Sequence, residues 1–338
     1  MMNEVLAKVY RGKTVESIHY GSVVVVDSSG KLIYRIGDPN FVTFLRSSAK
    51  PFQAIPVVEL GVAEAFGFTQ QEIAIIAGSH NGEKKHVQVV RSILKKIGLN
   101  KSFLQCGTHV PHYYTALGKT PPKKSFSPLQ HNCSGKHAGM LAVCVYKNWN
   151  LKNYLKPNHP VQRLILKKIS ELCEHPEKKI KIGIEGCGAP THSLPLKNMA
   201  IGFSKLVTFR SKNEITSQAL QVVADSMWKY PEMVSGKGRL DYALVVASRG
   251  RLICKAGAEA LHCAAILDNG WGLAIKILDG SRRAVNPASV EVYRQLGILK
   301  KSHLRSKELK GFASPSIYNH KKVKVGFIKS DFRLKRVK

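Results

Sequence analysis

The run Leu261-His262-Cys263-Ala264-Ala265-Ile266-Leu267 is followed by Asp268-Asn269-Gly270 and then by Gly272-Leu273-Ala274-Ile275-Lys276-Ile277-Leu278. Two short apolar runs around an Asn-Gly turn read as a β-hairpin, because those residues supply the positive φ that a tight turn needs. Working outward, Leu252 to Lys255 reads as a strand before this hairpin. Tyr242 to Ala247 reads as another, joined to it through Ser248-Arg249-Gly250. Tight links between consecutive strands make such a sheet antiparallel. Near the start of the chain, Tyr20 to Asp27 and Lys31 to Arg35 flank Ser28-Ser29-Gly30 and predict a second hairpin of β-branched residues.

Between these ends the pattern is helical. Phe52 to Phe66, Gln70 to Ala77, Glu83 to about Ile97, Pro157 to His175 and residues 214 to 229 carry apolar side chains at helical spacing. Residues 106 to 130 lack any period and read as a long ordered loop. Ile180 to Ile184 reads as a short strand that delivers Glu185-Gly186-Cys187-Gly188-Ala189-Pro190 to a sharp turn. A hairpin, then helices, then a meander define an α+β fold, an antiparallel sheet with helices packed beside it. The 338 residues suffice for one catalytic domain over 1–338, with room for two lobes.

The balance of 53 Lys+Arg against 22 Asp+Glu gives a net charge of +31. Such a charge raises the question of a nucleic-acid partner. The excess is dispersed over the whole chain and does not alternate with aromatics, which argues against a nucleic-acid interface. Neither the N-terminal stretch Met1–Lys8 nor any later one approaches the ~18 apolar residues of a membrane span. Seven dispersed cysteines suit free thiols in a reducing, cytoplasmic setting.

Chemistry concentrates in His131-Asn132-Cys133-Ser134-Gly135-Lys136-His137-Ala138-Gly139, which precedes an apolar run. The cluster therefore falls at a helix N-terminus, where unpaired N–H groups and the dipole favour a thiolate or an anion. Cys133 and Cys187 each sit in a glycine-flanked polar turn, and two thiolates with Lys136 or a histidine form a candidate zinc site. His80, His86, His131 and His137 are as readily structural as catalytic. Ser47 and Lys50 form a Ser-x-x-Lys, in which an unprotonated lysine can take the serine's proton. Four such pairs occur in the chain, and Ser47 is the one at a strand-to-helix junction. Pro51 biases Lys50 away from the helical region, which works against a one-turn pairing of Ser47 with Lys50.

These motifs, Arg46 to Gln53, Ser79 to Glu83 with His86, His131 to His137, Gly186 to Pro190, Lys255 to Glu259 and Asp279 to Ala284, resemble in order those of the class 3, Rhizobium-type L-asparaginases, the asparaginase II family. The resemblance extends from the first hairpin to Val325-Gly326-Phe327-Ile328. It implies a fold similar to the serine β-lactamases and glutaminases, hydrolysis of L-asparagine to L-aspartate and ammonia, and a homodimer. It also implies two pairs, Ser47 with Lys50 and Ser79 with Lys255, and one zinc ion per subunit on Cys133, Lys136 and Cys187. On this reading Ser47 attacks the side-chain amide with Lys50 as base. Arg46, Arg239 and Arg282 are candidates for the substrate's α-carboxylate, Glu185 and Glu259 for its ammonium, and His137 stands near the substrate.

The sequence departs from the family pattern at Glu185, where the family has Asp, and at Ala260, where it has Gly. Both bear on the choice between asparagine and glutamine. Two other readings are a Ser-Lys hydrolase of another amide or of a β-lactam, against which no Ser-Asp-Asn and no Lys-Thr-Gly occurs, and a basic zinc-dependent nucleic-acid-binding protein.

Overall fold

The computed structural model describes residues 4–123 and 125–337. Met1–Asn3 of the N-terminal stretch and the extreme ends of the 1–338 span lie outside the described residues. The chain divides into two compact units, the first formed by residues 4–43, Pro195–Ser204 and 243–337, the second by Phe44–Leu194 and Lys205–Tyr242.

The first unit is built on a nine-stranded antiparallel sheet. Its central path runs Ser316–Tyr318, Lys324–Lys329, Glu4–Arg11, Thr14–Val26, Trp271–Ile277, Leu261–Ile266, Leu252–Ala256. Leu32–Ile36 pairs with the end of Thr14–Val26, with Val25 opposite Tyr34, so the expected N-terminal hairpin is present. The Asp268-Asn269-Gly270 turn joins Leu261–Ile266 to Trp271–Ile277 in register, Ile266 opposite Trp271. Gly270 has φ +69°, the conformation for which that turn needs glycine. Every residue of Leu261–Ile266 is buried, the signature of a strand covered on both faces. The helix Arg282–Gln295 packs against this sheet. It buries Ala284, Val285, Ala288 and Val292 along one side.

One expected strand is a helix. Leu240–Ala247 is α-helical, with Leu240, Ala243 and Leu244 buried and Val246 exposed. The buried positions follow the helical spacing i, i+3, i+4, so packing overrides the β-branched content of Val245-Val246. Ser248-Arg249-Gly250 therefore links a helix to a strand rather than two strands. The expected Phe52–Phe66 helix is two, Lys50–Glu59 and Val62–Ala65, broken at Gly61 with φ +75°. Within residues 106–130 the structure has a short helix, His112–Ala116, and a 3-10 turn, Pro128–Gln130.

The second unit is helical, with an antiparallel hairpin of Ile182–Ile184 and Pro190–Pro195. At its centre lies Ser134–Tyr146, buried continuously from Ser134 to Cys144. A helix covered on all sides is a core element. Lys50–Glu59, Gln70–Ile76, Lys84–Lys96 and Pro160–Leu172 pack around it. Gly135 and Gly139, one turn apart, make room for Gln70–Ile76. A Cβ on Gly135 would lie 2.3 Å from the Ile75 carbonyl oxygen, and one on Gly139 would lie 2.6 Å from an Ile76 methyl. The bare face thus draws in the helix whose continuation is Gly78-Ser79.

A buried ion cluster ties three helices of this unit together. Lys168 Nζ donates to Glu59 Oε1 (2.6 Å), Glu171 Oε2 (3.0 Å) and Thr216 Oγ1 (3.3 Å). Lys168 and Glu59 are 9% and 10% exposed, so removing one partner strands the other in a poor solvent for charge. Lys168→Ala is expected to cost about 3 kcal/mol. A thermal melt reads this as a lowered Tm.

Candidate active site

Lys50 begins the first helix of the second unit, directly after the 3-10 turn Arg46–Ala49. Its backbone is right-handed helical, φ −60°, ψ −36°, despite the bias that Pro51 imposes. Its side chain nevertheless does not turn back to Ser47. Lys50 is fully buried, and Nζ donates to Ser79 Oγ at 2.8 Å, the Gly78 carbonyl at 2.7 Å and the Asn132 carbonyl at 3.1 Å. Among the described residues the lysine's serine partner is therefore Ser79, and the pairing expected from Ser-x-x-Lys spacing is replaced by one across 29 residues of chain. Burial pushes the Lys50 pKa below its ordinary value of 10.5, against the attraction of Cys133 and Glu185 and with help from Lys136.

Ser79 is fixed at both ends. Its N–H donates to the Val234 carbonyl at 2.6 Å, and its own carbonyl accepts from Arg239 Nη1 at 3.3 Å. Gly78 admits this strand-like crossing, since a Cβ there would lie 2.5 Å from the Met233 carbonyl oxygen. Ser47 is only half-buried, and the residue before it, Arg46, has φ +48°. A non-glycine residue in the left-handed region costs about 1–2 kcal/mol, strain of a kind that collects at functional turns.

Around the N-terminus of Ser134–Tyr146, Cys133, Glu185 and Cys187 converge, their ligand atoms all within 4.8 Å of one another. Lys136 Nζ donates to Cys187 Sγ at 3.1 Å and to Glu185 Oε1, and Cys187 Sγ donates to the same oxygen at 3.1 Å. The neighbouring Cys187 holds the Cys133 thiol well below its usual range, and the same contact together with burial pushes Cys187 up. Lys136 is raised by Glu185, Cys133 and Cys187, which outweigh its burial, where a neutral amine ligand would need it lowered. Two sulfurs and a carboxylate are a donor set that fits a thiophilic divalent cation.

Glu185 is, with Glu259, one of two candidates for the substrate's ammonium. Its oxygens are instead committed, Oε1 to Lys136 and Cys187 and Oε2 to Arg46 Nε at 3.9 Å. His137 is fully buried, and its Nδ1 meets the Tyr154 hydroxyl at 2.6 Å. That hydroxyl also accepts from Gln105 N–H at 3.0 Å, so Tyr154 ties His137 to the backbone of residue 105. Nε2 has no hydrogen-bond partner among the described residues. Burial holds His137 well below its usual pKa, which keeps the ring neutral at physiological pH. His80 and His86 are structural, bonded to Ser134 Oγ and the Glu232 carbonyl.

Three sequence candidates belong to the first unit. Lys255 is fully buried on Leu252–Ala256, with Nζ donating to the Ala256 carbonyl at 2.8 Å. Glu259 is exposed in a left-handed turn with Ala260, φ +57° and +53°. Arg282 is exposed on the first turn of its helix. Asn132 lies within the His131–His137 motif but is singled out only by its carbonyl's contact with Lys50, and Tyr154 carries no motif, so only its long-range contacts reveal it.

Fold and site together define an α+β protein with a buried lysine–serine pair beside a two-thiol, one-carboxylate cluster. The chain belongs to the L-asparaginase II family, whose model matches residues 7–330. That membership supports an amidohydrolase acting on a small molecule. No curated protein matches the sequence. Among solved structures, a beta-lactamase candidate from Bacteroides dorei DSM 17855 is similar at TM-score 0.42 and 9% identity, over 80% of this chain and 92% of that one. No helix among the described residues is long and apolar enough to cross a membrane.

Proposed function

We propose that the protein hydrolyses L-asparagine to L-aspartate and ammonia by serine acyl transfer, with Lys50 as the base. The observation that carries this is the 2.8 Å contact between a fully buried lysine and Ser79 Oγ, together with the family. A general base must lie within hydrogen-bond reach of the proton it takes. In the neutral form Lys50 keeps its two hydrogens on the Gly78 and Asn132 carbonyls and accepts from Ser79 Oγ–H, and that proton passes to it as Oγ attacks the side-chain amide carbon. The C–N bond then breaks, and the nitrogen leaves as ammonia with the proton that Lys50 returns. Water hydrolyses the β-aspartyl ester and restores the serine. Arg46 and Arg239 stand as the guanidinium groups for the α-carboxylate, and the neutral His137 ring stands near the substrate. Lys255, Glu259 and Arg282, which lie in the first unit, belong to the proposal only as residues that the family resemblance implies.

Zinc would be held by Cys133 and Cys187 with Lys136 or Glu185. Bound by two thiolates, it would carry little residual charge and would serve to organise the site. A cytoplasmic homodimer is part of the same proposal, and seven buried free thiols suit such a setting.

A second reading makes Ser47 the nucleophile. Its half-exposure and the left-handed Arg46 beside it favour substrate access there.

Ammonia release with asparagine and glutamine, on the wild type, Ser47→Ala and Ser79→Ala, tests both. The wild type is expected to turn over asparagine. Ser79→Ala is expected to lose about 10³-fold in kcat while Ser47→Ala keeps measurable turnover. The reverse pattern installs Ser47, and no release from asparagine with or without zinc removes the asparaginase reading.

A further inference from the structure

We propose that the third protein ligand of the metal in this chain is the Glu185 carboxylate, in place of the Lys136 amine that the resemblance implies. The inference concerns binding alone and does not depend on the reaction proposed above.

Glu185 and Cys187 flank Gly186 in one closed turn. Gly188 N–H donates to the Glu185 carbonyl at 2.8 Å, Glu185 N–H donates to the Ala189 carbonyl at 3.0 Å, and Gly188 has φ +80°. The turn presents both side chains to Cys133, the residue that caps the central helix. The result is three ligand atoms mutually within 4.8 Å, with Glu185 Oε1 3.1 Å from Cys187 Sγ. A tetrahedral ion with Zn–S bonds of about 2.3 Å separates its ligands by roughly 3.5–4 Å, so the set closes on an ion with little movement. Glu185 is 7% exposed. A carboxylate so buried needs partners, and Lys136 and Arg46 flank it from outside the trio.

The source of the change is one methylene. Where the family has Asp, the longer Glu185 extends its carboxylate by about 1.5 Å, and that reach is spent on Cys187. Cysteine, histidine and carboxylate are the usual zinc ligands, and lysine is not among them. Lys136 Nζ directs its hydrogens at Glu185 and Cys187, the position of a group that orients ligands from behind.

The test uses zinc and cadmium on the full chain. Zinc affinity is measured by competition with a chromophoric chelator for the wild type, Glu185→Gln and Lys136→Met, with circular dichroism to confirm that each is folded. Cadmium NMR on protein labelled with nitrogen-15 at lysine Nζ then reads the ligands directly. The expected results are at least about tenfold weaker zinc binding in Glu185→Gln, one bound ion retained in Lys136→Met, and no cadmium–nitrogen coupling. A one-bond coupling to lysine, loss of the ion in Lys136→Met with retention in Glu185→Gln, or no bound ion in the wild type overturns the inference. A chain that binds as expected yet releases no ammonia from asparagine keeps the ligand assignment and loses the amide reading, so the two failures are told apart.

Discussion

Lys50→Met is expected to lower kcat for asparagine by about 10³-fold or more, because it removes the base while leaving a buried apolar side chain of similar length. The wild-type rate is expected to rise with pH through the Lys50 pKa and to level off below 10.5, the ordinary lysine value from which burial depresses it. The sign follows from the mechanism: the working form is neutral, so acid removes it. Folding stability moves the same way. Between the depressed folded pKa and 10.5 the unfolded chain holds the additional proton on this lysine, so the contribution of Lys50 to stability rises with pH in that window. A stopped assay across pH checks both the variant and the limb. A rate that falls as pH rises through this range is incompatible with Lys50 as base.

Gly135→Ala is expected to have the second large effect. The added Cβ would stand 2.3 Å from the Ile75 carbonyl oxygen, a backbone atom that cannot swing aside. The central helix and Gln70–Ile76 must separate, at about 2–3 kcal/mol. Separation also carries Cys133 away from Ser79, because one lies at the helix start and the other just beyond the end of Gln70–Ile76. A displacement near 1 Å is enough for about 10²-fold in rate. Gly139→Ala serves as the comparison, since its close contact is a side-chain methyl of Ile76 at 2.6 Å rather than a backbone carbonyl at 2.3 Å, and it is expected to lose less of both. Thermal melts and ammonia release on the two variants give the comparison.

Much of this was readable from the chain because the signals are local. The Asn269-Gly270 turn and the continuous apolar run Val23-Val24-Val25-Val26, buried on both faces, mark their strands through their own turns and side chains. The glycine-flanked Cys133 and Cys187 announced a polar cluster at a helix start, and the structure brings them together with Glu185. The structure departs from the spacing of the sequence where packing decides. Val245-Val246 looked like strand, yet Leu240, Ala243 and Leu244 face the interior of a helix. Ser47 and Lys50 looked like a pair, yet the lysine reaches across 29 residues to Ser79, through a helix approach that Gly135 permits. Glu185 looked like a substrate contact, and its extra methylene instead takes it to Lys136 and Cys187. Tyr154 lies in a stretch without period, so nothing local marks it as the partner of His137.

The central claim is that a serine held by Lys50 is acylated by asparagine. The most direct measurement mixes enzyme with L-asparagine, quenches in acid within a turnover and maps the peptides by mass spectrometry. The account predicts a β-aspartyl ester on Ser79 that is absent in Lys50→Met. An ester on Ser47 transfers the attack to that residue, and ammonia release with no ester on either serine contradicts acyl transfer altogether.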